Sequence, residues 1–146
     1  MDSQDLIIEI SGGSPIQSTG RMAFLIDESL ERFEHPLICS NFCRAASLKN
    51  KKTLFNFAFQ WKHYYDLGVF FNWEGRTTGI KNLLFDIFIS SHSFILPEEN
   101  IMNQFYDTLS PMYKQIQKNL IQNQNLASLR DWLLPMLMNG QVTVEE

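Results

Sequence analysis

Residues 97–140 read PEEN IMNQFYDTLS PMYKQIQKNL IQNQNLASLR DWLLPMLMNG, and the fold turns on how this stretch is read. Ile101, Phe105, Leu109, Met112, Ile116 and Leu120 recur at spacings of three and four, and Leu126, Leu129 and Leu133 continue the stripe. Such spacing puts apolar side chains on one face of an α-helix. Glu98 and Glu99 suit a helix start, where the macrodipole favours negative charge. Pro111 has no amide hydrogen for the carbonyl of Asp107. The stretch therefore predicts one long helix bent at Pro111, or two helices joined there. Pro135 and Gly140 mark its end. Residues 115–125 are rich in Asn and Gln but keep the helical period, so they are not low-complexity disorder. A helix of this length spans roughly 50 Å, more than a small neighbouring unit covers, and its stripe calls for a partner helix.

Upstream, the pattern shortens and mixes. Leu6 to Ile10 is β-branched and reads as a strand ending in the loop Ser11-Gly12-Gly13-Ser14-Pro15. Met22 to Ile26 reads as a second strand, and Asp27 as the cap of a brief helical turn through Phe33. Leu37 to Ser47 is a long strand candidate. Residues 50–67 carry apolar side chains at helical spacing, with Gly68 as the stop. Phe70 to Trp73 reads as a short extended piece, Glu74 to Asn82 as a polar loop, and His92 to Leu96 as a strand. Leu83 to Ile89 is ambiguous between strand and helical turn. The fold class is therefore α+β: a small mixed unit, residues 1–96, followed by a long amphipathic helix and tail, residues 97–146.

Composition narrows the function. Among 146 residues, 45% are hydrophobic and 12 are Phe, so the chain can bury a core. The net charge of −4 argues against a simple cationic nucleic-acid binder. Basic residues do gather locally, at Arg44, Lys49, Lys51, Lys52 and Lys62 and again at Arg76 and Lys81. Cys39 and Cys43 lack the second pair that a compact metal site needs, and read as buried free thiols on one face of a strand. The polar opening Met1-Asp2-Ser3-Gln4-Asp5 is no signal peptide, and no apolar run approaches the roughly 20 residues that span a bilayer. The expectation is a cytoplasmic protein without a membrane partner.

No catalytic constellation emerges. His35, His63 and His92 stand at spacings that build neither a zinc site nor a triad. Gly12-Gly13-Ser14-Pro15 with Thr19-Gly20-Arg21 lacks the Gly-Lys-Ser/Thr ending of a phosphate loop, and Pro15 removes a backbone donor. The adjacent Glu98 and Glu99 cannot form an acid–base couple on one helix face. These residues imply no enzyme, no metal and no cofactor.

The segment Asn125-Leu126-Ala127-Ser128-Leu129-Arg130-Asp131-Trp132-Leu133-Leu134-Pro135-Met136-Leu137-Met138-Asn139-Gly140 meets every fixed position of an L-x-x-L-R-D-x-L-L-P-x-L-x-x-G pattern. It closely resembles the closing segment of DNA specificity subunits of type I restriction-modification systems. Two further segments, Glu9 to Pro15 with Ser18-Thr19-Gly20-Arg21 and Gly75 to Leu83, resemble the second half of a target recognition domain of that family. Ser40-Asn41-Phe42-Cys43-Arg44 fits the strand between them. The resemblance implies a protein that chooses a double-stranded DNA target for methyltransferase (modification) subunits and, through them, the restriction subunit. It implies a helix that pairs antiparallel in a coiled-coil spacer, in this short chain with a second copy. It implies DNA contacts from Gln17, Ser18, Thr19, Arg21, Arg44, Arg76, Thr77, Thr78 and Lys81. Leu129, Arg130, Trp132, Leu133 and Leu134 are the implied partner-binding residues. The chain has one such helix and part of one recognition domain, so a truncated interaction module that no longer reads DNA is the alternative.

Overall fold

The computed structural model describes residues 1–12, 16–77 and 79–142, and at Arg76 and Thr77 the backbone alone. Its organising strand is β1, Asp5–Glu9, in which Leu6 and Ile8 are buried while their neighbours are half-exposed. This is the two-residue period of a strand with one face on a core. β1 pairs antiparallel with β3, Met22–Phe24, on one side and with β4, Cys43–Ser47, on the other. At Ile10 the strand changes sheets: its carbonyl accepts from Leu83 N at 2.8 Å, and β2, Ser11–Gly12, joins β6, Ile80–Leu83. A tight hairpin then pairs β6 with β5, Glu74–Thr77. Two antiparallel three-stranded sheets result, ordered β3-β1-β4 and β2-β6-β5.

Helix α2, Leu54–Asp66, packs across the first sheet and divides the core in two. Toward one end, Leu6, Ile26, Leu54 and Phe55 cluster. Toward the other, Ile8, Trp61, Phe70, Leu83 and Phe88 do so, with Phe88 supplied by α3, Phe85–Ser91. Trp61 is fully buried against Phe70 and Phe88, and its Nε1–H donates to the carbonyl of Gly20 at 2.6 Å. Gly20 sits at φ +101°, and a Cβ there would stand 3.0 Å from the Phe70 ring. Both the backbone and the space exclude a side chain. Gly20→Ala is therefore expected to lower stability by about 1–3 kcal/mol, read from the midpoint of urea unfolding.

Several expectations need correction. Residues 74–83 form a hairpin, not a loop, because Lys81 takes an inward position beside Leu83 and masks the alternation. Val69–Trp73 is a 3-10 turn rather than extended chain. Only Cys43–Ser47 of the long strand candidate is a strand, and residues 92–96 pair with none. Asp27 opens the one-turn helix α1, Asp27–Leu30, from inside; the cap position is Ile26, whose amide donates to Ser29 Oγ. Cys39 lies outside β4, so the two free, half-buried thiols do not share a strand.

The C-terminal helix α4, Glu99–Met138, runs unbroken for 40 residues and contains both Pro111 and Pro135. At 1.5 Å per residue it is about 60 Å long. Only its first part docks. Met102 is buried, and Tyr106, Leu109 and Tyr113 pack on the Leu6 cluster, Tyr113 stacking on Phe55 at 5.1 Å. Polar ties reinforce this: Gln4 Nε2 donates to Tyr106 Oη at 2.8 Å, Lys52 pairs with Asp107, and Lys114 pairs with the buried Glu28 at 3.1 Å. These contacts on both sides of Pro111 hold one helix where a break was allowed. Beyond them Leu120, Leu126, Leu129, Trp132, Leu134 and Leu137 are exposed. Among the described residues no helix is long and apolar enough to cross a membrane.

Candidate nucleic-acid interface

The hairpin β5–β6 and the segment 16–20 lie about 60 residues apart in sequence, and Glu74 joins them. Its Oε1 accepts from Thr19 N at 2.7 Å and from Thr19 Oγ1 at 3.1 Å. Its Oε2 pairs with Lys81 Nζ at 3.3 Å, both side chains being almost fully buried. Lys81 Nζ also donates to Gln17 O at 3.1 Å and stands 5.0 Å from the centre of the Phe71 ring. A carboxylate and an ammonium taken from water cost several kcal/mol each unless they meet each other and further partners. Here the three donors to Glu74 and the backbone acceptor on Lys81 supply that compensation. Ser11 Oγ donates to Asn82 Oδ1, tying β2 to the same hairpin.

This geometry sorts the residues expected at DNA. Gln17 is exposed, whereas Ser18 and Thr19 are buried. Thr19 and Lys81 are interior groups in the Glu74 cluster, so a direct contact by either would require the hairpin to open. Arg21 is exposed but holds Glu9 in a two-pronged pair, Nε to Oε2 at 2.9 Å and Nη2 to Oε1 at 2.7 Å. That partner pushes its pKa up from the usual guanidinium value. Arg44 holds Asp86 through Nη1 at 2.7 and 2.8 Å, and stacks over Phe85. Arg21 and Arg44 flank β1 on opposite edges of the first sheet. Arg76 and Thr77 lie in β5, beside the Lys81 strand. Thr78 falls outside the described residues, as do Gly13, Ser14 and Pro15.

The structure thus brings the 16–21 segment and the 74–83 hairpin together, and places Arg44 on the opposite edge of the first sheet from Arg21, where it lines a cavity with Ile10 and with Leu83 at the end of β6. It also gives Arg21, Arg44 and Lys81 each a carboxylate partner. Sequence reasoning missed Glu74, the hub. The available signal was an acid flanking a Gly- and Thr-rich turn with a lysine seven positions on, and polarity alone does not separate that from a loop.

The implied partner-binding residues lie together on the undocked part of α4. Leu129, Trp132 and Leu134 are exposed, Leu133 is half-buried, and Arg130 pairs with its neighbour Asp131 at 2.7 Å. Among the described residues no group of three or more His, Cys, Asp or Glu side chains is placed to hold a metal ion. No family model, curated protein or solved structure matches the chain.

Proposed function

We propose that this chain is a DNA-specificity component of a type I restriction-modification assembly, acting by choosing the target while partner subunits carry out methylation and cleavage. One observation carries the reading. The helix bearing the Leu-Arg-Asp and Leu-Leu-Pro pattern docks on its own body through residues 102–117, and its far half presents an unpartnered apolar surface. Such a surface fits the spacer role that the resemblance implies, with a second helix and a modification subunit as its cover. With no modification subunit present, the expected state is an antiparallel homodimer through this half.

A second reading has its own support. Arg21, Arg44 and Lys81 are already neutralised by Glu9, Asp86 and Glu74. DNA phosphates would have to displace those carboxylates, which favours an assembly module that no longer reads DNA. Duplex capture at low salt, with and without a modification subunit, separates the two. The first reading expects capture in its presence, with binding falling steeply as salt rises; the second expects the subunit to bind and DNA to stay free.

Trp132 is the anchor expected on this surface, being large, aromatic and 58% exposed. At concentrations where both proteins are monomeric, Trp132→Ala should leave the unfolding free energy within about 0.5 kcal/mol of wild type. It should weaken association through α4 by about 2 kcal/mol, roughly thirtyfold. Sedimentation equilibrium, or titration with a modification subunit, reads the second effect. An unchanged association constant would remove Trp132 from the interface.

A further inference from the structure

Helix α4 carries two apolar lines, and the body covers one of them. Met102, Tyr106, Leu109 and Tyr113 face the body. Ile101, Phe105, Met112 and Ile116, in the same docked half, turn away from it and stay exposed. Phe59 of α2, also exposed, meets Phe105 at 5.9 Å between ring centres and widens this second line. The line does not stop where docking stops. Phe105, Met112, Asn119, Leu126 and Leu133 follow one another at seven-residue steps. Ile101, Thr108, Gln115, Gln122, Leu129 and Met136 form a companion row at the same step. Two such rows make the seam of a two-helix coil.

The seam has a pattern along its length. It is apolar from Ile101 to Met112 apart from Thr108, carries amide side chains at Gln115, Asn119 and Gln122, and is apolar again from Leu126 to Met136. The pattern reads almost the same from either end, about a centre between Leu120 and Ile121. Such a surface fits its own antiparallel copy. Phe105 then meets Met136 of the second copy, Met112 meets its Leu129, and Asn119 meets its Gln122 beside the two-fold axis. Overlap of the far halves alone, centred near Ser128, instead sets Asn119 against Met136 and Gln122 against Leu133 of the second copy. That register leaves amides facing apolar side chains, and a polar residue in a seam is the usual device that selects one register over another. Length points the same way. For helices about 10 Å wide, a seam from Ile101 to Met136 covers roughly 1,100 Å² in total, and the far halves alone roughly 600 Å². The first is close to the 1,200 Å² or so of a stable interface, and Phe59 adds to it; the second is the size of a packing contact. Charge offers nothing there to a nucleic acid or a charged partner: Arg130 and Asp131 are the only charged residues from 119 to 142, and they pair with each other.

We propose that the exposed line Ile101–Phe105–Met112 of one copy is the docking surface for the Leu129–Leu133–Met136 end of α4 from a second copy. The two helices then pair over their whole length, in a register centred between Leu120 and Ile121. The proposal rests on the homodimer reading above and fixes its register. Spin labels test it, attached at Lys118→Cys or at Ser128→Cys in the full chain carrying Cys39→Ser and Cys43→Ser, each label being measured against its twin in the dimer. In the proposed register the two sites at 118 are offset along the axis by about 8 Å and those at 128 by about 22 Å; pairing of the far halves gives about 30 Å at 118 and almost none at 128. The expected result is the shorter distance at 118. The shorter distance at 128 would overturn the register and leave the homodimer standing. Equally short distances at both sites would mark a parallel pair and overturn it too. Met112→Glu, in the otherwise unaltered chain, gives an independent reading by sedimentation. A dimer weakened at least about tenfold is expected, since the seam would bury an unpaired carboxylate. An unchanged dissociation constant would remove the docked half of α4 from the interface. A chain that stays monomeric at high micromolar concentration would reject the homodimer itself, and the register with it.

Discussion

Lys81→Ala is expected to destabilise the fold by about 3–5 kcal/mol, because it strands a buried carboxylate. Glu74 would keep its two bonds from Thr19 but lose its only charged partner among the described residues. Total stability of a domain this size is about 5–15 kcal/mol, so the variant should unfold at markedly lower urea. The neutral pair Glu74→Gln with Lys81→Met should cost far less than the sum of its single changes, as removal of both charges avoids the uncompensated one. Arg21→Ala is the contrast. Its pair with Glu9 stands at the surface, and the expected loss is within about 1 kcal/mol. Urea unfolding of wild type, Glu74→Gln, Lys81→Met and the double variant gives the cycle, with Lys81→Ala and Arg21→Ala measured beside them. The consequence for function is direct: weakened DNA binding by Lys81→Ala would report a collapsed hairpin, whereas the same loss in Arg21→Ala would report a lost contact.

Trp61→Ala is expected to cost about 3–5 kcal/mol, the usual range for emptying a buried aromatic site. The ring fills the space between Phe70, Phe88 and Phe94, and its Nε1–H satisfies the carbonyl of Gly20. For a chain of this size the loss corresponds to a fall in Tm of roughly 10–15 °C by calorimetry. Trp61→Phe keeps most of the bulk but orphans the Gly20 carbonyl, and should cost about 1–3 kcal/mol. If both variants melt together with wild type, the Ile8–Trp61 cluster is not the core that holds the two sheets on α2.

The strongly periodic parts of the fold were legible. The α4 stripe, the 54–66 helix with its stop at Gly68, and the strand at Leu6 to Ile8 each show apolar side chains at the period of their element. What hid the rest was inward polarity. Thr19, Glu74 and Lys81 occupy interior positions and satisfy one another, so the hairpin they hold carries the composition of a loop. Phe70 is buried in a 3-10 turn, which has no sequence period of its own at this length. Pro111 left one bent helix or two joined helices open; aromatic docking around it holds a single helix, which ends at Met138, just past Pro135 and before Gly140. The candidate site divides similarly. The 16–21 segment and the hairpin meet, but through the buried groups Thr19 and Lys81, and the carboxylate that joins them was found only in the fold.

The helix reading and the DNA reading meet in one experiment. The chain is mixed with a modification subunit of a type I system from the same organism and offered a pool of random duplexes at low salt; the captured pool is then sequenced. The account predicts that a complex forms through α4, that it retains DNA, and that the retained duplexes share a defined short sequence. A complex that forms but retains duplexes without any shared sequence, or a chain that ignores the subunit altogether, would contradict it.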